Sequence, residues 1–158
     1  MSTDITSKAL NEIVKRLNDA AIADIKTIKK GRLYPRDPRH LPAIMVFSDD
    51  ESVQPLGRRG FQERRIGISV WIVLAAADST VDYDDALGEL QAAVEKALVY
   101  DIRREPRETR FFTALDLSAA RRGWGDAGAN TIAVTALRYI GTVHHDRGDH
   151  DKTHPQMG

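Results

Sequence analysis

The sequence predicts an α+β fold, a two-layer sandwich in which two helices pack on one face of a mixed or antiparallel sheet of four to five strands. Two segments repeat apolar residues at three- and four-residue steps, so each rolls into a helix with a single apolar stripe. Residues 65–75 instead alternate strictly, the signature of a strand with one buried face. The element order reads α, β, β, α, β, β without internal repeat, and 158 residues suit one domain.

Thr3 or Asp4 can cap the first helix, which is expected to reach about Ile25. Ile5, Ala9, Leu10, Ile13, Val14, Leu17 and Ile25 fall on one side of it, while Lys8, Glu12, Lys15, Arg16 and Asp19 fall on the other. Residues 29–42 turn to Gly, Pro and basic side chains, a loop with room for a short edge strand near residues 32–34. Residues 43–47 (AIMVF) form a short β run, closed by an acidic turn at residues 48–51. In the main strand, Ile66, Ile68, Val70, Ile72 and Leu74 make a wholly aliphatic face that must be covered. Gly67, Ser69, Trp71 and Val73 make a mixed face, suited to a partner or to partial solvent.

A second helix is expected over residues 81–99. Asp78, Ser79 and Thr80 offer caps, and Asp82, Asp84 and Asp85 sit where the helix dipole favours negative charge. Tyr83, Leu87, Leu90, Val94, Ala97 and Leu98 form its stripe. Strands at residues 110–118 and 131–143, joined by a turn at 121–130, close a domain expected over residues 1–143. Residues 144–158 are polar, rich in His and Asp and without periodicity, so they read as a disordered tail.

Composition narrows the function classes. The chain has no cysteine, which removes disulfides, thiolate metal sites and a cysteine nucleophile. Lys plus Arg equals Asp plus Glu at 23 each, a balance that argues against a dedicated nucleic-acid binder while allowing a local basic patch. No apolar run approaches the roughly 18 residues of a membrane span. The polar start at residues 1–4 leads directly into an amphipathic segment, so no signal peptide is expected and the environment is cytosol or an assembly built there.

Motifs that could carry chemistry have plainer explanations. Residues 123–128 (GWGDAG) spell G-x-G-x-x-G, but the following residues read as a strand, so no helix N-terminus is available to a pyrophosphate and a hairpin loop is favoured. His144, His145, His150 and His154 are chemically able to bind zinc or nickel, yet an unfolded tail cannot fix their geometry. Asp78, Asp82, Asp84 and Asp85 are explained by a helix start. His40 is the sole base outside the tail, and no G-x-S-x-G elbow accompanies it. No catalytic residue, cofactor or metal is expected.

The basic residues carry more. Arg58, Arg59, Arg64 and Arg65 cluster before the main strand. The plain reading is solubility and rim ion pairs; the functional one is a ring lumen whose arginines meet DNA phosphates without reading sequence. With Trp71, these four are the candidate lumen or interface residues.

Residues 41–47 (LPAIMVF), the strand at 64–74, and the acidic helix start leading to residues 97–101 (ALVYD) resemble the phage tail terminator family, the minor tail protein U-like and tail-completion proteins. The likeness lies in element order and spacing over roughly residues 5–143, and the last strand likewise ends near an aromatic, Tyr139. The Pro- and Arg-rich loop at 29–40 and the tail depart from the shared core. The resemblance implies a non-enzymatic virion protein assembled in the host cytoplasm. It forms a hexameric ring that caps the tail tube, stops its polymerisation and presents a head–tail joining surface. Its partners are copies of itself, the tail tube protein and a head-side connector protein; DNA only passes through the lumen, and no membrane is involved. Rival readings are another connector or neck adaptor subunit, a small soluble enzyme or binding domain using the aspartates or histidines, and a nucleic-acid binder.

Overall fold

Helix α1 (Ile5–Asp19) starts where the sequence offers a cap, with the Asp4 carboxylate accepting from the Ser7 backbone N–H at 2.9 Å. The structure, a computed structural model, describes residues 4–32, 38–57, 60–76, 83–98, 110–127, 130–146 and 148–154. Ile5, Ala9, Leu10, Ile13 and Leu17 are buried along one side of α1. The helix stops at Asp19 and not near Ile25, because Ala21 (φ 48°) and Asp24 (φ 69°) take left-handed backbone. No glycine marks this exit, so the apolar period runs on past it. Ile22 and Ile25 still pack against the core.

Strand β1 (Thr27–Lys30) pairs in parallel with β2 (Ala43–Leu56), and it precedes the edge strand expected near residues 32–34, of which 33 and 34 lie outside the described residues. β2 runs antiparallel to β3 (Phe61–Ala75). The acidic residues expected to form a turn lie inside β2 instead. The register shifts once between Ser48 and Glu51, a bulge, and pairing resumes to Leu56 opposite Phe61. Partners distant in sequence receive the carboxylates. Asp49 accepts from Ser69 Oγ at 2.6 Å, Asp50 from Arg138 Nη2 at 2.5 Å, and Glu51 from Arg64 Nη1 at 2.8 Å.

Helix α2 (Tyr83–Leu98) buries Leu87, Val94 and Leu98, with Asp84 and Asp85 in its first turn. Residues 81, 82 and 99 of the expected helix lie outside the described ones. Strand β4 (Ala114–Ala127) then pairs with β5 (Asn130–Asp146). The expected turn at 121–130 is mostly strand: Gly123 and Gly125 sit opposite Val134 and Ile132, so the glycine-rich stretch is part of a β ladder and the next element is β5. Residues 149–154 form a sixth strand, β6 (Asp149–His154), paired with the end of β5. This corrects the expectation of a disordered tail from residue 144. Backbone pairing on an existing strand needs no apolar period, so the polar composition was misleading.

The result is one six-stranded sheet in the order β1-β2-β3-β5-β4, with β6 also on β5 and only the β1–β2 pair parallel. As expected, both helices cover its aliphatic face, where Ile44, Val46, Ile66, Ile68, Val70, Ile72, Leu74, Leu137 and Tyr139 meet α1 and α2. A smaller cluster lies on the opposite face: Leu41, Ala43, Met45, Val73 and Ile132, with Trp71, Ala75 and Val134 against them. No helix among the described residues is long and apolar enough to cross a membrane.

Two substitutions test this packing. A Cβ added at Gly141, on the helix-covered face of β5, would stand 2.5 Å from Phe112 Cε1 and 3.3 Å from Ile68 Cδ1. Gly141→Ala is expected to destabilise the fold by about 1–3 kcal/mol, seen as a lower urea midpoint at unchanged slope. Thr135 is fully buried and its hydroxyl has no hydrogen-bond partner among the described residues. Thr135→Val keeps the shape and removes the orphan, so the urea midpoint should rise, by about 1 kcal/mol of stability.

Candidate functional site

Successive residues of a strand point to opposite faces, and this divides the candidate arginines. Arg64 lies opposite Val143 on the helix-covered face, and Arg65 opposite Thr142 on the other. Arg64, with its side chain 13% exposed, holds Glu51 Oε1 at 2.8 Å and donates from Nε to His145 Nε2 at 3.3 Å. The other oxygen of Glu51 accepts from Thr6 Oγ1 of α1 at 2.5 Å. Arg64 is therefore committed inside the molecule. Arg65 is 59% exposed and pairs with Glu63 at 2.9 Å. Arg58 and Arg59 lie outside the described residues. Among the described residues the expected arginine cluster is thus one largely buried, engaged side chain and one exposed one.

Trp71 is half-buried on the open face. Its ring meets Phe47 edge-on with centroids 5.3 Å apart, and the Arg32 guanidinium stands 4.9 Å over that Phe47 ring. The shallow depression beside it is lined by Arg121, Gly123, Val134 and Ala136.

The histidines missed as structural residues are anchored. His145 is fully buried, with Nδ1 2.8 Å from the Asp146 carbonyl, so it donates there and accepts from Arg64 at Nε2 as a neutral ring. Burial pushes its pKa below the ordinary 6.5, and the charges of Arg64 and His150 act in the same direction. The His150 ring stands 5.5 Å away, and its Nδ1 accepts from the Ile5 N–H, one of the unpaired donors of the α1 N-terminus, at 3.0 Å. Lys8 Nζ donates to the His150 carbonyl at 2.9 Å. These bonds clamp β6 onto α1. His144 faces the other way and meets Glu63 at 3.2 Å. Burial alone would raise the Glu63 pKa, but hydrogen bonds from His144 and Arg65 outweigh it and hold the carboxyl low.

This arrangement joins elements that are distant in sequence. Asp84 pairs with Arg122 at 3.5 Å on the surface and Asp85 is exposed on the first turn of α2, while Asp78 and Asp82 lie outside the described residues. His40 is exposed. Among the described residues no three His, Asp or Glu side chains come together as a metal ion would require. The exposed large apolar side chains, Val53, Leu117 and Trp124, were not singled out by sequence. Each sits in a polar or glycine-rich stretch, and only the strand order shows that they lie at the sheet's edges. No protein family model matches this chain, and no curated protein matches it in sequence.

The histidine clamp makes stability depend on pH. Because the folded-state pKa of His145 is depressed, the unfolded chain binds the proton more readily, and stability is lost as pH falls from the ordinary 6.5 through the folded value. A urea midpoint that drops between about pH 7.5 and 5.5, before carboxylates titrate, is expected. In the NMR spectrum, the His145 ring protons should titrate below 6.5; a midpoint at or above that value contradicts the neutral, buried ring.

Proposed function

We propose that this chain is a structural subunit of the phage tail terminator type. It assembles as a hexameric ring on the end of a tail tube, ends tube polymerisation and offers a joining surface to a head-side connector protein. The observation that supports this most is the distribution of groups over the sheet. Two helices seal one face, Arg64 is engaged by Glu51 and His145, and the exposed large apolar residues stand on the edge strands. A surface of that kind suits contact with other folded chains better than turnover of a small molecule. In such a ring DNA would cross the lumen without being read, and an exposed arginine such as Arg65, not the engaged Arg64, is the one able to meet its phosphates.

The test is assembly of the purified full chain, followed by mass photometry and negative-stain imaging over rising concentration, alone and with isolated tail tubes. Closed rings, and caps on tube ends, are expected. Monomers throughout, with bare tube ends, would remove the reading.

A further inference from the structure

On the reading that this chain forms a ring, we propose how neighbouring copies join: the outer edge of β2 beyond residue 47 in one copy adds to the outer edge of β4 in the next. β1 covers β2 only at residues 43–46, so residues 47–56 have no outer neighbour among the described strands. β4 is outermost on the other side of the sheet over its whole length. Residues 49–55 of β2 and 116–124 of β4 are all exposed. Such edges are open templates for another strand.

Two further observations select the occupant. Val53 (44% exposed), Leu117 (38%) and Trp124 (66%), the exposed large apolar residues among those described, all lie on these two edges. The charges are opposite. Between residues 48 and 56 stand Asp49, Asp50 and Glu51 with no cation; β4 carries Asp116 and Asp126 near its two ends and Arg121 and Arg122 with no acid in the stretch between them. Asp50 remains 80% exposed beside Arg138, so it can still face a second cation. The acidic stretch of β2 and the basic middle of β4 complement each other across copies, whereas two like stretches repel. The contact is therefore head-to-tail, the heterologous geometry that closes into a ring or runs on as a filament.

The chain has no cysteine, so engineered thiols report without background. Within one molecule the two edges are separated by β3 and β5, roughly 14 Å across, too far for a disulfide. Full-length chains carrying one cysteine on the β2 edge (Ser52→Cys or Gln54→Cys) are mixed with chains carrying one on the β4 edge (Ser118→Cys, Ala119→Cys or Ala120→Cys) and oxidised. Disulfide dimers are expected only between unlike edges, and chains bearing one thiol on each edge should give a ladder of linked copies. Independently, Val53→Lys or Ser52→Lys, each placing a cation on the exposed acidic edge of β2, should raise the concentration needed for assembly at least tenfold without moving the melting temperature. Rings that form without unlike-edge disulfides, and are indifferent to these lysines, overturn this interface and leave the ring standing. Disulfides between like edges overturn it in favour of a two-fold dimer. A chain that stays monomeric, with no disulfide in any pairing, removes ring and interface together.

Discussion

The pairing of β3 with β5 runs along the entire 15-residue length of β3, from Phe61 opposite Asp146 to Ala75 opposite Ile132. Because side chains alternate, this register decides what faces the helices: Ile66, Ile68, Val70, Ile72 and Leu74 from β3, and Leu137, Tyr139 and Val143 from β5. A slip by one residue would turn every one of them to the open side. Each buried aliphatic side chain contributes about 1.5–3 kcal/mol, so the five on β3 alone are comparable to the roughly 5–15 kcal/mol that holds a typical domain folded. With that pair in place β2 can add only to the far side of β3, and β4 and β6 only to the far side of β5. The positions of the sheet's edges are thereby fixed.

β3 and β5 also outrun the apolar cover, and at that end the helix-facing side carries Arg64 and Glu51 with His145. A charged pair partly removed from water needs its remaining hydrogen-bonding groups met. A neutral imidazole does this for the Arg64 Nε–H without adding charge, and Thr6 does it for Glu51. The same end receives β6, whose His150 uses an amide of the α1 N-terminus that the helix itself cannot satisfy. Thus the last residues of the sheet and the first turn of the first helix hold one another through polar contacts where the main core offers no apolar surface.

The helices' buried stripes, the aliphatic face of β3 and the placement of both helices over it were legible, because each is a local periodicity. Strand extents were not. Asp49 and Asp50 read locally as a turn, and it is Ser69 and Arg138, far along the chain, that make them tolerable inside β2. Gly123 and Gly125 read as a loop until Val134 and Ile132 pair with them. The candidate site suffered from the same boundary error. Beginning the main strand at Arg65 left Arg64 in a loop cluster with its neighbour, whereas a strand from Phe61 sends the two to opposite faces. The mixed face holding Trp71 was readable, but the edge positions of Val53, Leu117 and Trp124 depend on strand order, which no local pattern encodes.

Edges elsewhere in this sheet are blunted in ordinary ways. β1 has four residues and ends in Lys29 and Lys30, and β6 is short and polar. Charge and a bulge are also found on the two long edges, at Asp49, Asp50 and Glu51 on β2 and at Arg121 and Arg122 on β4, which is bulged between Leu117 and Ala119. Taken one edge at a time these are the usual protections against unwanted pairing. Taken together they are selective, because the acidic stretch of β2 and the Arg121–Arg122 stretch of β4 each repel their own kind and not the other. A chain that excludes β2–β2 and β4–β4 contacts, while placing Val53 on one edge and Leu117 and Trp124 on the other, leaves a directional contact as the favourable one.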